Sequence, residues 1–217
     1  MPMSAVTPIP FGRTYLREHR HICAFFNSVK EEYDTLGPFI SDGIHRGDRT
    51  ILVYPAKNKD DHVRRLKAAG LDVERLEKSG QLVLEVPENT YLRTGKFNKD
   101  DMLARIQEGL ADSRARGYRV TRMIAHPEAK VSGWQNELEL IEYEVLLNKA
   151  LSHSQDPVIC IYDINQMSAA LMMDVLRSHP MAIIGGVLHH NPYYTKVSKF
   201  LPEIHARQQQ GYDAHHV

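Results

Sequence analysis

The sequence predicts an α/β fold with three layers: a mostly parallel sheet with helices on both faces. Short apolar runs suited to buried strands recur at residues 21–26, 50–54, 81–86, 119–125 and 158–162. Charged, helix-periodic segments separate them. Glycine stops close several of those helices, at Gly70, Gly80 and Gly117. Strands that alternate with helices need crossover connections, which make neighbouring strands parallel and cover both faces of the sheet.

Each element has its own local reason. Residues 1–18 hold Pro2, Pro8 and Pro10 without periodicity and read as a leader that packs late or stays loose. His21–Phe26 is a short apolar run suited to a buried strand. Ser28 precedes Glu31 and Glu32, the pattern of a helix start with acids in the first turn. That helix should run to about His45, with Tyr33, Leu36, Phe39, Ile40 and Ile44 on one face, and Pro38 should kink or divide it. Gly47-Asp48 turns the chain into the strand at 50–54. Helices are expected at 58–69, from Leu71-Asp72 to Gly80, at 99–116, 134–151 and 167–178. The segment 87–97 reads as an irregular loop with aromatics near both ends. Residues 181–188, interrupted by Gly185-Gly186, read as a strand pair or hairpin. The last thirteen residues, HARQQQGYDAHHV, read as disordered. The resulting division is a leader (1–18), one domain (19–200) and a flexible tail (201–217).

Composition narrows the function classes. A chain of 217 residues can bury one sizeable core. Lys+Arg and Asp+Glu are both 27, so no basic surface for nucleic acid is expected over the domain as a whole. The two cysteines, Cys23 and Cys160, sit in apolar runs and make no disulfide scaffold, which fits a reducing compartment. No run is long and apolar enough to span a membrane, and no signal peptide opens the chain. The expectation is a cytoplasmic protein without a membrane contact.

Motifs exclude more than they assign. A phosphate-binding loop needs glycines and a lysine between strand and helix. The segment here, FFNSVKEEY, has no glycine, and Glu31-Glu32 would repel phosphate. No GxSxG, GxGxxG or HExxH occurs. His21 and Cys23 are two apart on a strand, so they share a face. They could hold a metal with further ligands, place a thiol beside a base, or be an inert pair in the core. No CxxC or HxxxH partner accompanies them, so neither metal nor cofactor is expected, although Cys160 on another strand could approach. Glu144 and Asn148 lie one helical turn apart on one face. Ligands in parallel sheets bind outside the carboxyl ends of the strands. That rule points to Asn27-Ser28, Pro55-Ala56, residues 88–97, His126-Pro127 and Asp163.

The order of segments resembles the MEDS family of methanogen and methylotroph sensory proteins. The resemblance rests on His21, Cys23, Phe25 or Phe26, Gly43 and Gly47 at the start, and on Tyr91, Gly95 and Phe97 in the middle. Glu144, Asn148, Cys160, Tyr162, Asp163, His179, Pro180, Asn191 and Tyr194 carry it to residue 195. More distantly, GIHRGD (43–48) is similar to a segment of KaiC/RecA-like ATPases. The resemblance implies a RecA/KaiC-like scaffold that has lost its phosphate loop. It also implies a non-enzymatic domain that senses a small hydrocarbon derivative or metabolite. With no helix-turn-helix or kinase segment expected, output would pass to a signalling or transcription-regulator partner, or through a homo-oligomer. The expected pocket lining is His21, Cys23, Phe25, Tyr91, Phe97, Glu144, Tyr162, Asp163 and His179. The alternatives are an enzyme using Cys23 as nucleophile beside a histidine base, and a structural dimerisation module.

Overall fold

In a computed structural model, the structure describes residues 7–55, 58–90, 97–127 and 134–214. The first strand of the main sheet is β3 (His21–Phe26), followed by the helix α1 (Val29–His45). Next come β4 (Arg49–Val53), α2 (Lys59–Ala68), α3 (Val73–Ser79) and β5 (Leu82–Glu85). The second half runs α4 (Lys99–Ala115), β6 (Thr121–Ala125), α5 (Trp134–Ala150), β7 (Val158–Asp163), α6 (Ala169–Ser178), β8 (Met181–Ile184) and β9 (Val187–His190). The sheet has seven strands in the order β5-β4-β6-β7-β3-β8-β9. Every neighbouring pair is parallel except the edge hairpin β8–β9. The three-layer, mostly parallel architecture is therefore the one the strand–helix alternation predicts.

The two faces of the sheet carry separate cores. Ile22, Ala24 and Phe26 of β3 pack with Leu36, Phe39 and Ile40 of α1 and with Leu66, Val73 and Leu76 of α2 and α3. Cys23 and Phe25 point the other way, into a core built with Leu140, Tyr143 and Leu147 of α5. This is the period-two alternation of a strand buried on both sides. Helix α5 is buried on nearly every side from Leu138 to Leu147, with Glu142 and Glu144 among its buried residues. It is enclosed by the sheet, α4, α6 and a last helix, α7 (Val197–Ala214). Among the described residues no helix is long and apolar enough to cross a membrane.

Three local expectations need correction. Within the leader, residues 9–16 form a hairpin, β1 (Ile9–Phe11) with β2 (Thr14–Leu16), whose Ile9, Phe11 and Leu16 are buried. The apolar side chains at 9 and 11 alternate as a strand requires, and Arg20 ties the segment down by donating to the Thr7 carbonyl at 2.7 Å. The tail is helical through Ala214. Val197, Phe200, Leu201 and Ile204 stand at helical spacing, and Phe200 and Ile204 are fully buried against α5. Pro38 does not divide α1, which is continuous from Val29 to His45. The lost backbone bond costs about 3 kcal/mol, and the burial of Leu36, Phe39 and Ile40 on the same turns offsets it.

Gly43 and Gly47 have different jobs. Gly47 has φ +82°, the left-handed turn that sends the chain into β4. Gly43 makes room for Arg122, a fully buried residue of β6. The Arg122 guanidinium donates to the Phe39 carbonyl at 2.6 Å, pairs with Asp48 at 2.7 Å and lies over the Phe39 ring at 4.3 Å. A Cβ at Gly43 would come within 2.7 Å of Arg122 Cδ. Alanine in place of an interior helical glycine ordinarily stabilises by about 1 kcal/mol. Gly43→Ala should instead destabilise the protein by about 1–3 kcal/mol, because the side chain it strikes is pinned. Urea denaturation measures this, and an unchanged or raised midpoint would show that Arg122 can step aside.

Candidate functional site

Two strands, a helix and a helix end build a polar cluster inside the α5 face of the sheet. β3 and β7 run side by side with Cys23 opposite Cys160 and Phe25 opposite Tyr162. Alternation therefore sends His21, Cys160 and Tyr162 toward α5. From α5 come Glu144 and, one turn later, Asn148. His179 follows the last residue of α6. Pro180 behind it favours an extended backbone at His179, which has φ −116° and ψ 127°. Its side chain meets the cluster.

Glu144 is the centre. It is fully buried, with 0% exposure. Its Oε1 accepts from the Tyr162 hydroxyl at 2.7 Å. Its Oε2 lies 3.0 Å from His21 Nε2, 3.3 Å from His179 Nε2 and 3.5 Å from Cys160 Sγ. Cys160 Sγ is also 3.6 Å from His21 Nε2, and the two imidazole rings lie 4.0 Å apart.

The outer nitrogens fix the tautomers. Asn148 uses its amide N–H groups on the Glu144 and Ser178 carbonyls, at 3.0 and 2.7 Å. Its carbonyl oxygen is thereby turned to His21 Nδ1 at 3.2 Å, so Nδ1 carries the proton and donates. His179 Nδ1 donates to the Val175 carbonyl at 2.8 Å, an acceptor left over at the end of α6. Both histidines thus present Nε2 to the cluster, and His179 Nε2 has no hydrogen-bond partner there.

Burial lowers the pKa of His21, the nearby His179 lowers it further, and the bond to Glu144 opposes both. Burial alone would raise the Glu144 pKa. The two imidazoles outweigh it and hold the carboxyl well below its ordinary range. Glu144 is therefore a carboxylate in the interior.

A cavity of about 290 Å³ adjoins this cluster between the sheet and α4–α5. Ile51, Val53, Met123, Met102, Ile106 and Tyr143 line most of it, and Cys160 belongs both to its wall and to the cluster. It runs along the face of the sheet from Arg49 at the start of β4 to Val53, Glu85 and Ala125 at the carboxyl ends of β4, β5 and β6, where Thr90 of the segment 88–97 also lines it.

The carboxyl edge holds a second polar group. Glu32 of α1, His62 of α2 and His126 after β6 place ligand-type atoms within 4.8 Å of one another. Glu32 Oε1 lies 3.4 Å from His126 Nε2, and the Tyr33 hydroxyl bonds His62 Nδ1. Burial pushes His62 down to about 4; the Glu32 carboxylate opposes this and His126 adds to it. Beside them, the N-terminus of α1 is already occupied. Ser28 Oγ accepts from the Glu31 N–H at 3.2 Å, and the Glu31 carboxylate accepts from the Asn27 N–H at 3.0 Å. A carboxylate of the chain itself sits where a phosphate loop would seat its anion.

The residues singled out from sequence divide accordingly. His21, Glu144, Tyr162 and His179 converge on one point. Cys23 and Phe25 lie in the same apolar core, where Phe25 packs on Tyr162 at 5.9 Å between centroids. Phe97 packs edge-on against Tyr143, 6.1 Å away. Asp163 is not in this group: it lies in the carboxyl-edge groove with Ser28 and Glu32, and its carboxylate caps the following turn at Asn165. Tyr91 is outside the described residues. Cys160, Asn148, His62 and His126 were not among the expected pocket residues, yet they complete the two clusters. Cys23 lacks a nucleophile's setting. It is fully buried, and burial together with the Glu144 charge pushes its thiol well above the ordinary range.

Comparison with known proteins adds three findings. The sequence profile of the family described as "MEDS: MEthanogen/methylotroph, DcmR Sensory domain" matches residues 20–180. The transcriptional repressor DcmR of Methylorubrum extorquens (strain DSM 6343 / CIP 106787 / DM4) is 28% identical over 163 residues. That alignment covers 74% of this chain and 58% of the repressor, so the chain spans little more than half of that relative's length. The crystal structure of a KaiC-like protein from Pyrococcus horikoshii OT3 superposes with a TM-score of 0.54 at 17% identity. It covers 76% of this chain and 70% of the other, and it establishes the shared fold.

The carboxyl-edge cluster sets a pH dependence. His62 has an ordinary value of 6.5 and a folded value of about 4. The folded state therefore binds fewer protons than the unfolded state between those limits, and stability falls as the pH is lowered through them. The contribution is full above about pH 6.5 and amounts to about 3 kcal/mol at most. Urea midpoints at pH 7, 5.5 and 4.5 should fall steadily, and His62→Gln should flatten the slope. An equal slope in that variant would show that His62 protonates freely in the folded protein.

Proposed function

The chain belongs to the MEDS family of sensory domains, and from that membership we propose that it binds a small, mostly apolar molecule and passes its occupancy to a signalling or transcription-regulating partner. The observation that carries the reading is the cavity of about 290 Å³ between the sheet and α4–α5. Its size stands at the lower end of small-molecule sites, so it suits a compact organic molecule and not a nucleotide. Its walls are methyl, methylene and aromatic surface, with Arg105, Glu85 and Thr90 among the polar contributors. An apolar ligand gains about 25 cal/mol for each Å² it removes from water there.

A sensor must bind two conformations unequally, since tight binding alone shifts nothing. Of the segment 87–97, residues 91–96 lie outside the described residues. Its described ends both reach the cavity: Thr90 lines it, and Phe97 rests on Tyr143, which lines it as well. The repressor function of the DcmR relative supports an output in transcription, delivered through a protein partner or through pairing of two copies of this chain.

Gly109 of α4 offers a direct test. It lines the cavity, and a Cβ placed on it would meet Met123 Cε at 3.4 Å and Ile51 Cδ1 at 3.6 Å, which is ordinary contact. Gly109→Leu should keep the fold and fill the space. A panel of small haloalkanes, alcohols and ketones is screened by thermal unfolding. At least one compound should raise the Tm of the original chain, with a gain near 2.7 kcal/mol at a hundredfold excess over Kd. The gain should vanish in Gly109→Leu. If no compound shifts the Tm and native mass spectrometry finds no small molecule carried through purification, the sensing reading fails.

A further inference from the structure

We propose that His21, Glu144, Cys160 and His179 form a binding site for one zinc-class divalent cation, a role that stands whether or not the adjoining cavity takes a ligand. Four donor atoms meet there: two imidazole Nε2, one carboxylate oxygen and one sulfur, all within 4.8 Å of one another. All four residues are buried.

Four of the six donor spacings match the edges of a tetrahedron, and the other two lie within 4.8 Å. Bonds of about 2.0–2.1 Å to nitrogen or oxygen and about 2.3 Å to sulfur give edges of roughly 3.3 Å between light donors and roughly 3.6 Å to sulfur. The nitrogen–oxygen separations here are 3.0 and 3.3 Å, and the sulfur separations are 3.5 and 3.6 Å.

The outer contacts aim the donors inward. Asn148 holds His21 by Nδ1, the Val175 carbonyl holds His179 by Nδ1, and Tyr162 holds the other oxygen of Glu144. Such partners are what orient metal ligands in built sites. A network of hydrogen bonds alone explains the cluster less well. Both Nε2 atoms face the same carboxylate oxygen, and His179 Nε2 is left without a partner in the interior. A cation at the common centre accounts for all of these atoms at once.

Charge and donor type choose the ion. A carboxylate, a thiolate and two neutral imidazoles sum to two negative charges, which a divalent cation cancels in a place that water does not reach. A mixed nitrogen, sulfur and oxygen set favours zinc over magnesium or calcium. The carboxyl-edge group Glu32, His62 and His126 has no thiol and offers three donors, so a thiolate signature separates the two.

The test uses the whole 217-residue chain, stripped with chelator and reloaded. Zinc should return to about one ion per chain, a four-ligand closed site. Cobalt(II) should give intense tetrahedral visible bands and a thiolate-to-cobalt charge-transfer band. The chain holds two cysteines. Cys23→Ser should therefore keep the thiolate band and Cys160→Ser should lose it. Should Cys160→Ser fail to fold, a band retained in Cys23→Ser assigns the sulfur by elimination. Tyr162→Phe, which removes only an outer contact, should weaken zinc about 10–100-fold in chelator competition. Failure to take up stoichiometric zinc, a cobalt spectrum with no thiolate band, or a band that follows Cys23 would each overturn the assignment.

Discussion

A carboxylate at the centre of an apolar layer governs this structure. Glu144 has no contact with water, and an uncompensated charge in such a place would cost several kcal/mol or more. The Tyr162 hydroxyl on β7 donates to one Glu144 oxygen, and His21 on β3 and His179 at the end of α6 close round the other. One side chain of α5 thus holds β3, β7 and the end of α6 in register. The same requirement explains the surroundings of α5. A helix with a charge in the middle of its buried face must be sealed on its remaining sides, and α4, α6 and α7 do so. The C-terminal helix is thus part of the seal and not an appendage.

The fold is shared with a KaiC-like protein, and the start of its first long helix is closed here by the chain's own side chains. At the start of α1, Ser28 and Glu31 satisfy the first N–H groups from within the chain. Farther along, Gly43 and Gly47 serve packing and turn geometry. One gives space to the buried Arg122, and the other makes a left-handed turn.

Much of the fold was legible because its signals are local. Apolar runs, glycine stops and helix-start residues lie within a few positions of one another, and they located the strands of the sheet and the helices between them. The face shared by His21 and Cys23 was legible for the same reason, since alternation in a strand is a local rule. The cluster was not, because its members come from β3, α5, β7 and α6, and no spacing in the chain records that they meet. Glu144 and Asn148 show only one helical turn, which a surface pair would show equally. The helix at the C-terminus was hidden by its polar second half, HARQQQ, although Val197 to Ile204 carry the helical period. The hairpin at residues 9–16 was masked by Pro8 just before it and Pro10 within it. Asp163 followed the rule for ligands at strand ends, but the cavity meets the ends of β4, β5 and β6 and not that of β7.

Cys160 stands on β7, a strand with hydrogen-bonded parallel neighbours on both sides. Its sulfur forms a party wall between a space wide enough for a guest and a cluster that tolerates little displacement. Strands in mid-sheet cannot yield alone, because their ladders on either side move with them. A guest that presses on that wall would load β3 and β6 together, and through β3 the hairpin at the far edge of the sheet. The geometry makes the sheet a stiff diaphragm, so a small volume change on one face can be felt across its full width.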